Sequence, residues 1–184
     1  MSELLRNKEV MKKVDEELER ELTKNELSES DLSQLPYLNA CIKETLRLHP
    51  PVPLLVPHRA TETCEVMNYT VPKDSQVVVN VWAISRDPSI WEDPLSFKPE
   101  RFLCSNLDFK GNSYEFLPFG AGRRVCPGLP MANKLIHLIL ASLLRRFDWS
   151  RPNGEDLAKI DMKDNFRVVL QKEQPLLLVP KKRL

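Results

Sequence analysis

The run Phe119-Gly120-Ala121-Gly122-Arg123-Arg124-Val125-Cys126-Pro127-Gly128 constrains this chain more than any other segment. It sets one cysteine among glycines and arginines, directly ahead of a long apolar stretch. Leu129, Met131, Ala132, Leu135, Ile136, Leu138, Ile139, Leu140, Leu143, Leu144 and Phe147 recur at helical spacing, which predicts a buried helix over 129–147. A sulfur at the start of that helix faces the positive end of its dipole. Arg123 and Arg124 add positive charge, and both effects favour thiolate over thiol. Gly120, Gly122 and Gly128 withhold side chains, so a large flat group can approach the backbone closely.

A thiolate in a loop open to a flat partner is what axial ligation of haem iron requires. The plainer reading is an inert, buried cysteine at a helix start beside a tight turn. The pattern Phe119-x-x-Gly122-x-Arg124-x-Cys126-x-Gly128 resembles the cysteine-ligand loop of the cytochromes P-450, the haem-thiolate monooxygenases.

Composition narrows the alternatives. The 184 residues suffice for one domain with a real core. The net charge of +1 argues for neither a nucleic-acid partner nor an acidic one. Cys41, Cys64, Cys104 and Cys126 form no C-x-x-C pair, which argues against a zinc site or a thioredoxin-like motif. Cys41, Cys64 and Cys104 read as packing residues or free thiols. No stretch reaches the roughly 18 apolar residues of a membrane span, and the first residues lack a signal-peptide core. Fifteen prolines against five glycines predict helices joined by extended, irregular segments.

Residues 3–22 read as an amphipathic helix, with Leu4, Met11, Val14, Leu18 and Leu22 on one face. Residues 23–33 read as a polar loop. Pro36 suits the first turn of a second helix, which must stop at Pro50-Pro51. Residues 52–57 read as apolar and extended. Short strands are expected at 64–67, 69–71 and 76–80, and a short helix at 81–86. Residues 87–115 form a long irregular segment, of a kind usually functional or wrapped around something. Residues 166–170 and 176–179 are expected to form a terminal hairpin, followed by a solvated basic tail, Lys181-Lys182-Arg183.

Glu44 and Arg47, three residues apart on the second helix, share a face. Such a pair is ordinarily a surface salt bridge of little weight. Here the run Lys43-Glu44-Thr45-Leu46-Arg47-Leu48-His49-Pro50-Pro51 resembles the E-x-x-R helix of cytochromes P-450, and Pro99-Glu100-Arg101-Phe102 resembles their P-E-R-F segment. The resemblance assigns Glu44, Arg47 and Arg101 to one charged cluster bracing the irregular segment under the cysteine loop.

The resemblance covers the whole chain in order and implies the following. The fold is mainly α with small β-sheets (α+β), residues 1–184 forming a single partial domain. That domain is the C-terminal part of the family fold, without its amino-terminal anchor and oxygen-binding helix. Haem is the cofactor, with Cys126 as iron ligand. Arg124 and His58 meet the propionates, Arg59 competing with His58. Phe119 packs against the haem beside the sulfur, and Gly120, Gly122 and Gly128 leave room for it. Val52, Leu55, Val56 and Val168 line an apolar substrate pocket, with Arg167 able to narrow or charge its end. His49 and His137 are structural or surface residues.

The implied activity inserts one oxygen atom of O2 into a small lipophilic substrate. Electrons come from NADPH through a reductase docking around Arg123, Arg124 and Lys134. The wording of residues 35–38, 57–60 and 116–124 is most like the plant geraniol 8-hydroxylase-like group, which points to terpenoids and plant secondary metabolism. Full-length relatives sit on the endoplasmic reticulum membrane; for a chain without the anchor the compartment is unknown or cytosolic. The alternative is a truncated, catalytically inactive product that binds haem weakly or not at all.

Overall fold

The computed structural model describes residues 1–22 and 27–183. The amphipathic stretch expected as one helix is two, α1 (Ser2–Arg6) and α2 (Lys8–Glu21). The break falls at Asn7, whose side-chain amide donates to the Glu3 carbonyl at 2.8 Å and so competes with the helical ladder. Val10, Val14 and Leu18 of α2 are buried, and Glu17 is buried among them. Of the expected polar loop, residues 23–26 lie outside the described residues. Glu29–Gln34 is not loop but a 3-10 turn, closed by a capping box between Ser28 and Asp31.

Helix α3 (Pro36–Leu48) starts and stops where the prolines require. It is the central element. Nine of its residues are buried, Glu44 and Arg47 among them, and it packs on both α2 and the cysteine-side helix α5 (Leu129–Arg146). Trp91, Phe102 and Phe116 extend the core, with ring centroids 5.9 and 5.1 Å apart along the series.

The strands are short antiparallel pairs. β1 (His58–Arg59) pairs with β4 (Gln76–Val77), and β2 (Cys64–Val66) pairs with β3 (Tyr69–Val71). Met67 and Asn68, at φ 51° and 66°, turn the β2–β3 hairpin. Helix α4 (Val81–Ile84) follows, its start capped by the Asn80 side chain.

The expected terminal hairpin does not form. β6 (Asp164–Asn165) pairs with β7 (Gln171–Lys172), so residues 166–170 are the bend between them, tied to Pro51 by a Leu170 N–H to carbonyl bond of 2.8 Å. β8 (Val179–Lys182) pairs instead with β5 (Phe147–Ser150), a strand directly after α5. Asp148 faces Lys181 across that ladder, an opposite-charge pair that suits the register. The basic tail is therefore structured. Arg183 donates to Asp148 at 2.8 Å and to Asp15 of α2 at 3.0 Å.

Helix α5 is less buried than its composition predicts. His137, Ala141 and Leu144 face the core. Met131, Leu135 and Ile139, spaced four apart on another face, are open to solvent at 67%, 43% and 57% exposure. Apolar residues all round a helix do not reveal which face its neighbours cover. No helix among the described residues is long and apolar enough to cross a membrane.

Candidate functional site

The three charged residues singled out from the sequence meet. Arg47 grips Glu44 with both arms of its guanidinium, Nε to Oε2 at 2.7 Å and Nη2 to Oε1 at 2.9 Å, and neither side chain is exposed. Its remaining donors reach the carbonyls of Ser85 (2.5 Å), Pro94 (2.8 Å) and Ser96 (3.3 Å). Glu44 Oε1 also accepts from the Lys98 backbone N–H at 2.8 Å and from Arg101 Nε at 3.1 Å. Arg101 in turn donates to the Glu92 carbonyl at 3.1 Å. Trp91, which sequence reasoning did not single out, lies beneath both guanidiniums, 5.1 and 5.8 Å from its ring centroid. One buried carboxylate and two cations thus fasten the chain between Ser85 and Arg101 to α3. Every polar arm is occupied, which is what a charge cluster removed from water requires.

The segment leading into the cysteine loop joins the same core, Phe116 packing on Phe102, the residue after Arg101, at 5.1 Å between ring centroids. Phe116 and Leu117 are buried, Gly120 N–H returns to the Leu117 carbonyl at 3.1 Å, and Gly122–Arg124 makes a 3-10 turn. Cys126 N–H donates to the Phe119 carbonyl at 2.9 Å, closing the loop, and the Cys126 carbonyl accepts from Leu129 at the start of α5. Cys126 is a free, exposed thiol rather than a buried packing residue. Phe119 is half-buried and meets Phe109 edge-on at 5.8 Å. Gly122 has open space where a side chain would stand, whereas a Cβ on Gly128 would meet the Cys126 sulfur at an ordinary 3.7 Å.

Sequence reasoning missed Gly111. Its backbone, at φ +88°, passes so close under the loop that a Cβ there would lie 2.9 Å from both the Ala121 Cα and the Gly120 carbonyl oxygen. A glycine inside an otherwise unreadable irregular segment was the one available signal.

The other nominated residues divide. Arg124 is exposed in the 3-10 turn, and His58 is exposed in β1; neither side chain has a hydrogen-bond or ion-pair partner among the described residues. Arg59 is engaged, bonded to Asp74 through Nη2 at 2.7 Å and Nε at 2.9 Å. Lys134 is held by Glu29 at 2.5 Å. The run 52–57 is not extended. It turns, with a Leu55 N–H to Val52 carbonyl bond and Leu55 at φ 51°. That turn brings the Leu55 side chain to within 3.7 Å of a Cβ position on Gly120. Val56 and Val168 are exposed, and the bend carrying Val168 is tied to Pro51.

Two histidines are structural. His49 Nε2 meets Glu3 at 2.8 Å. His137 lies buried between α5 and α3, with Nδ1 against the Asn133 carbonyl (2.7 Å) and Nε2 against the Asn39 side chain (3.3 Å). Burial lowers its pKa; the Asn133 carbonyl opposes this and nearby Lys43 adds to it. A histidine whose folded-state pKa is lowered binds a proton more readily when unfolded. Its neutral form therefore supports the fold above the ordinary histidine value, and that support declines as pH falls through it toward the lowered value. Thermal midpoints measured from about pH 8 to about pH 5 are expected to fall less steeply in His137→Gln than in the wild type, the difference arising below the ordinary histidine pKa near 6.5. Parallel profiles would remove His137 from that dependence.

With this geometry in view, comparison with known proteins is decisive. A family model for cytochrome P-450 matches residues 1–179. The chain belongs to the cytochrome P-450 family. It is 54% identical over 183 residues to a probable (S)-N-methylcoclaurine 3'-hydroxylase isozyme 2 of Coptis japonica, covering all of this chain and 38% of that protein. It is 55% identical over 177 residues to a geraniol 8-hydroxylase of Swertia mussotii, covering 96% of this chain and 36% of that protein. A solved structure of a zebra fish cytochrome P-450 with abiraterone superposes with a TM-score of 0.87 at 35% identity, covering all of this chain and 43% of that one. The chain thus spans well under half the length of the P-450 proteins it matches.

Proposed function

We propose that this chain is the thiolate-bearing part of a haem monooxygenase that hydroxylates a small lipophilic substrate, with O2 as oxidant and electrons from NADPH through a reductase. The observation that carries the reading is the free, exposed Cys126 on a loop closed by its own backbone bond to Phe119, in a chain that also assembles the buried Glu44–Arg47–Arg101 cluster. The donor set suits haem: an exposed sulfur, a glycine with open space at Gly122 in the same loop, and two basic side chains, Arg124 and His58, without partners among the described residues, for the propionates. Because Asp74 holds Arg59, His58 is the better propionate partner of the two. When bound, haem supplies the iron at which O2 is activated.

The chain's own residues supply position. Cys126 would hold the iron through its sulfur. The brace holds the loop so that the sulfur cannot swing. Leu55, Val56 and Val168 present apolar surface for a substrate without charge. The names of the relatives, a geraniol and an N-methylcoclaurine hydroxylase, support a small lipophilic plant compound, a terpenoid being the class favoured by the sequence. The reductase would dock on the face carrying Arg123 and Arg124, and the parent protein would sit on the endoplasmic reticulum membrane.

The test is spectroscopic. The chain is expressed with a haem supply and reduced under carbon monoxide, and the red-shifted Soret band of thiolate ligation is expected in the wild type and absent in Cys126→Ala. Persistence of the band in Cys126→Ala would overturn the assignment of the ligand. A second reading has its own observation: Met131, Leu135 and Ile139 of α5 are exposed, so this chain alone leaves apolar surface next to the cysteine helix uncovered. On that reading the 184 residues bind haem without turnover. Hydroxylated product from the purified chain with reductase and NADPH would dismiss it.

A further inference from the structure

Helix α3 carries the brace, yet nothing in its own sequence caps its start. Its N-cap residue is Leu35, which makes no side-chain cap bond, and Pro36 has no N–H to offer. That leaves the N–H groups of Tyr37 and Leu38 pointing out of the helix end in a place closed to water, Leu38 being fully buried. A carboxylate from another helix takes both. Glu17 of α2, 3% exposed, accepts from Tyr37 N–H through Oε1 at 2.7 Å and from Leu38 N–H through Oε2 at 2.8 Å.

We propose that Glu17 is a positioning residue for the brace: by gripping α3 at two adjacent N–H groups it fixes the rotation and axial position in which α3 presents Glu44 and Arg47. This rests on the reading of the cluster as the support of the cysteine loop. One bond would leave α3 free to pivot; two bonds from a single rigid carboxylate do not. Helix α3 is continuous from Pro36 to Leu48, so a shift at its start is carried to Glu44 and Arg47. There the bonds to Ser85, Pro94 and Lys98 are already short and leave little slack.

Two further observations agree. Lys13, one turn before Glu17 on α2, reaches Glu100 at 2.7 Å, and the Tyr37 hydroxyl donates to the same carboxylate oxygen at 2.8 Å. Glu100 precedes Arg101, the third member of the brace, so α2 holds both ends of that cluster. Burial also pushes the Glu17 carboxyl upward, opposed by the two backbone bonds. A carboxylate kept in so unfavourable a place is there for what it holds.

Amide hydrogen exchange on the 184-residue chain tests this without haem. Glu17→Gln keeps the shape but turns an NH2 toward one of the two N–H groups. Exchange at Tyr37 or Leu38 is expected to quicken by about tenfold. Positioning further requires that the Lys98 amide, which Glu44 holds on the far side of α3, quickens by a comparable factor while the β5–β8 ladder stays protected. A wild-type rate at Lys98 would reduce Glu17 to a local cap, and uniform acceleration including β5–β8 would make it a general stability residue; either overturns the proposal. Should Glu17→Gln fail to fold, Glu17→Asp, which keeps the charge one methylene short, is held to the same two outcomes. In the haem-loaded protein, a smaller fraction with the thiolate Soret band is expected in the variant. A wild type lacking that band would refute the haem-thiolate reading and leave the exchange result to stand or fall alone.

Discussion

Glu44→Ala is expected to destabilise the folded chain by about 3–5 kcal/mol, the range for removing one member of a buried ion pair. For a domain of this size that is a fall of about 6–20 °C in thermal midpoint. Four donors lose their acceptor at once: both arms of the Arg47 fork, Arg101 Nε and the Lys98 backbone N–H. Arg47 remains fully buried with its charge uncompensated, which is the dominant cost. Changing both Glu44 and Arg47 to apolar residues is not expected to restore stability fully, because the carbonyls of Ser85, Pro94 and Ser96 would then lose their donors. Arg59→Ala is the control. Its pair with Asp74 is more than half exposed on both sides, so its loss costs at most about 1 kcal/mol. Differential scanning calorimetry separates the two, and equal small shifts would mean that the cluster does not brace the fold.

What made this cluster legible is that its chemistry is local. Glu44 and Arg47 share a helix face by spacing alone, and Pro50-Pro51 fixes where that helix ends. The β2–β3 hairpin was equally plain, since Asn68 supplies a left-handed turn residue between short alternating runs. The features that escaped depend on contacts between distant segments. Phe166, Val168 and Leu170 alternate as a strand would, but alternation names no partner, and β8 found β5 instead. The apolar pattern of α5 runs round the helix, so it could not disclose that His137, Ala141 and Leu144 are the residues it buries fully, with Leu129 and Leu140 packed beside the core. Arg183 looked like part of a solvated tail because Asp15 and Asp148, its partners, are far away in sequence. Cys126 itself was readable as a ligand candidate from its glycines and arginines. The support proposed for its loop was only half readable, the half made of charged side chains.

The other half is Gly111, and its replacement gives the sharpest test of how the loop is held. Gly111→Ala is expected to cost about 1–2 kcal/mol for placing an L-residue in the left-handed region. A further 1–3 kcal/mol or so comes from overpacking, because the new Cβ meets backbone atoms that cannot rotate away. The displaced atoms are the Gly120 carbonyl and the Ala121 Cα, within the loop that Cys126 closes by its bond to Phe119. Strain introduced there falls on the backbone of the loop that carries the sulfur. Gly122→Ala separates conformation from contact. Gly122 also has a positive φ, 63°, but nothing lies within 4 Å of its Cβ position, so only the backbone cost of about 1–2 kcal/mol applies. Haem titration and thermal unfolding on the two variants are expected to diverge. Gly111→Ala should weaken haem uptake at least tenfold, and its thermal midpoint should fall further than that of Gly122→Ala, whose added methyl group meets no protein atom. If Gly111→Ala takes up haem as the wild type does, the segment beneath the loop yields freely, and the rigidity of the sulfur must come from the charged brace alone.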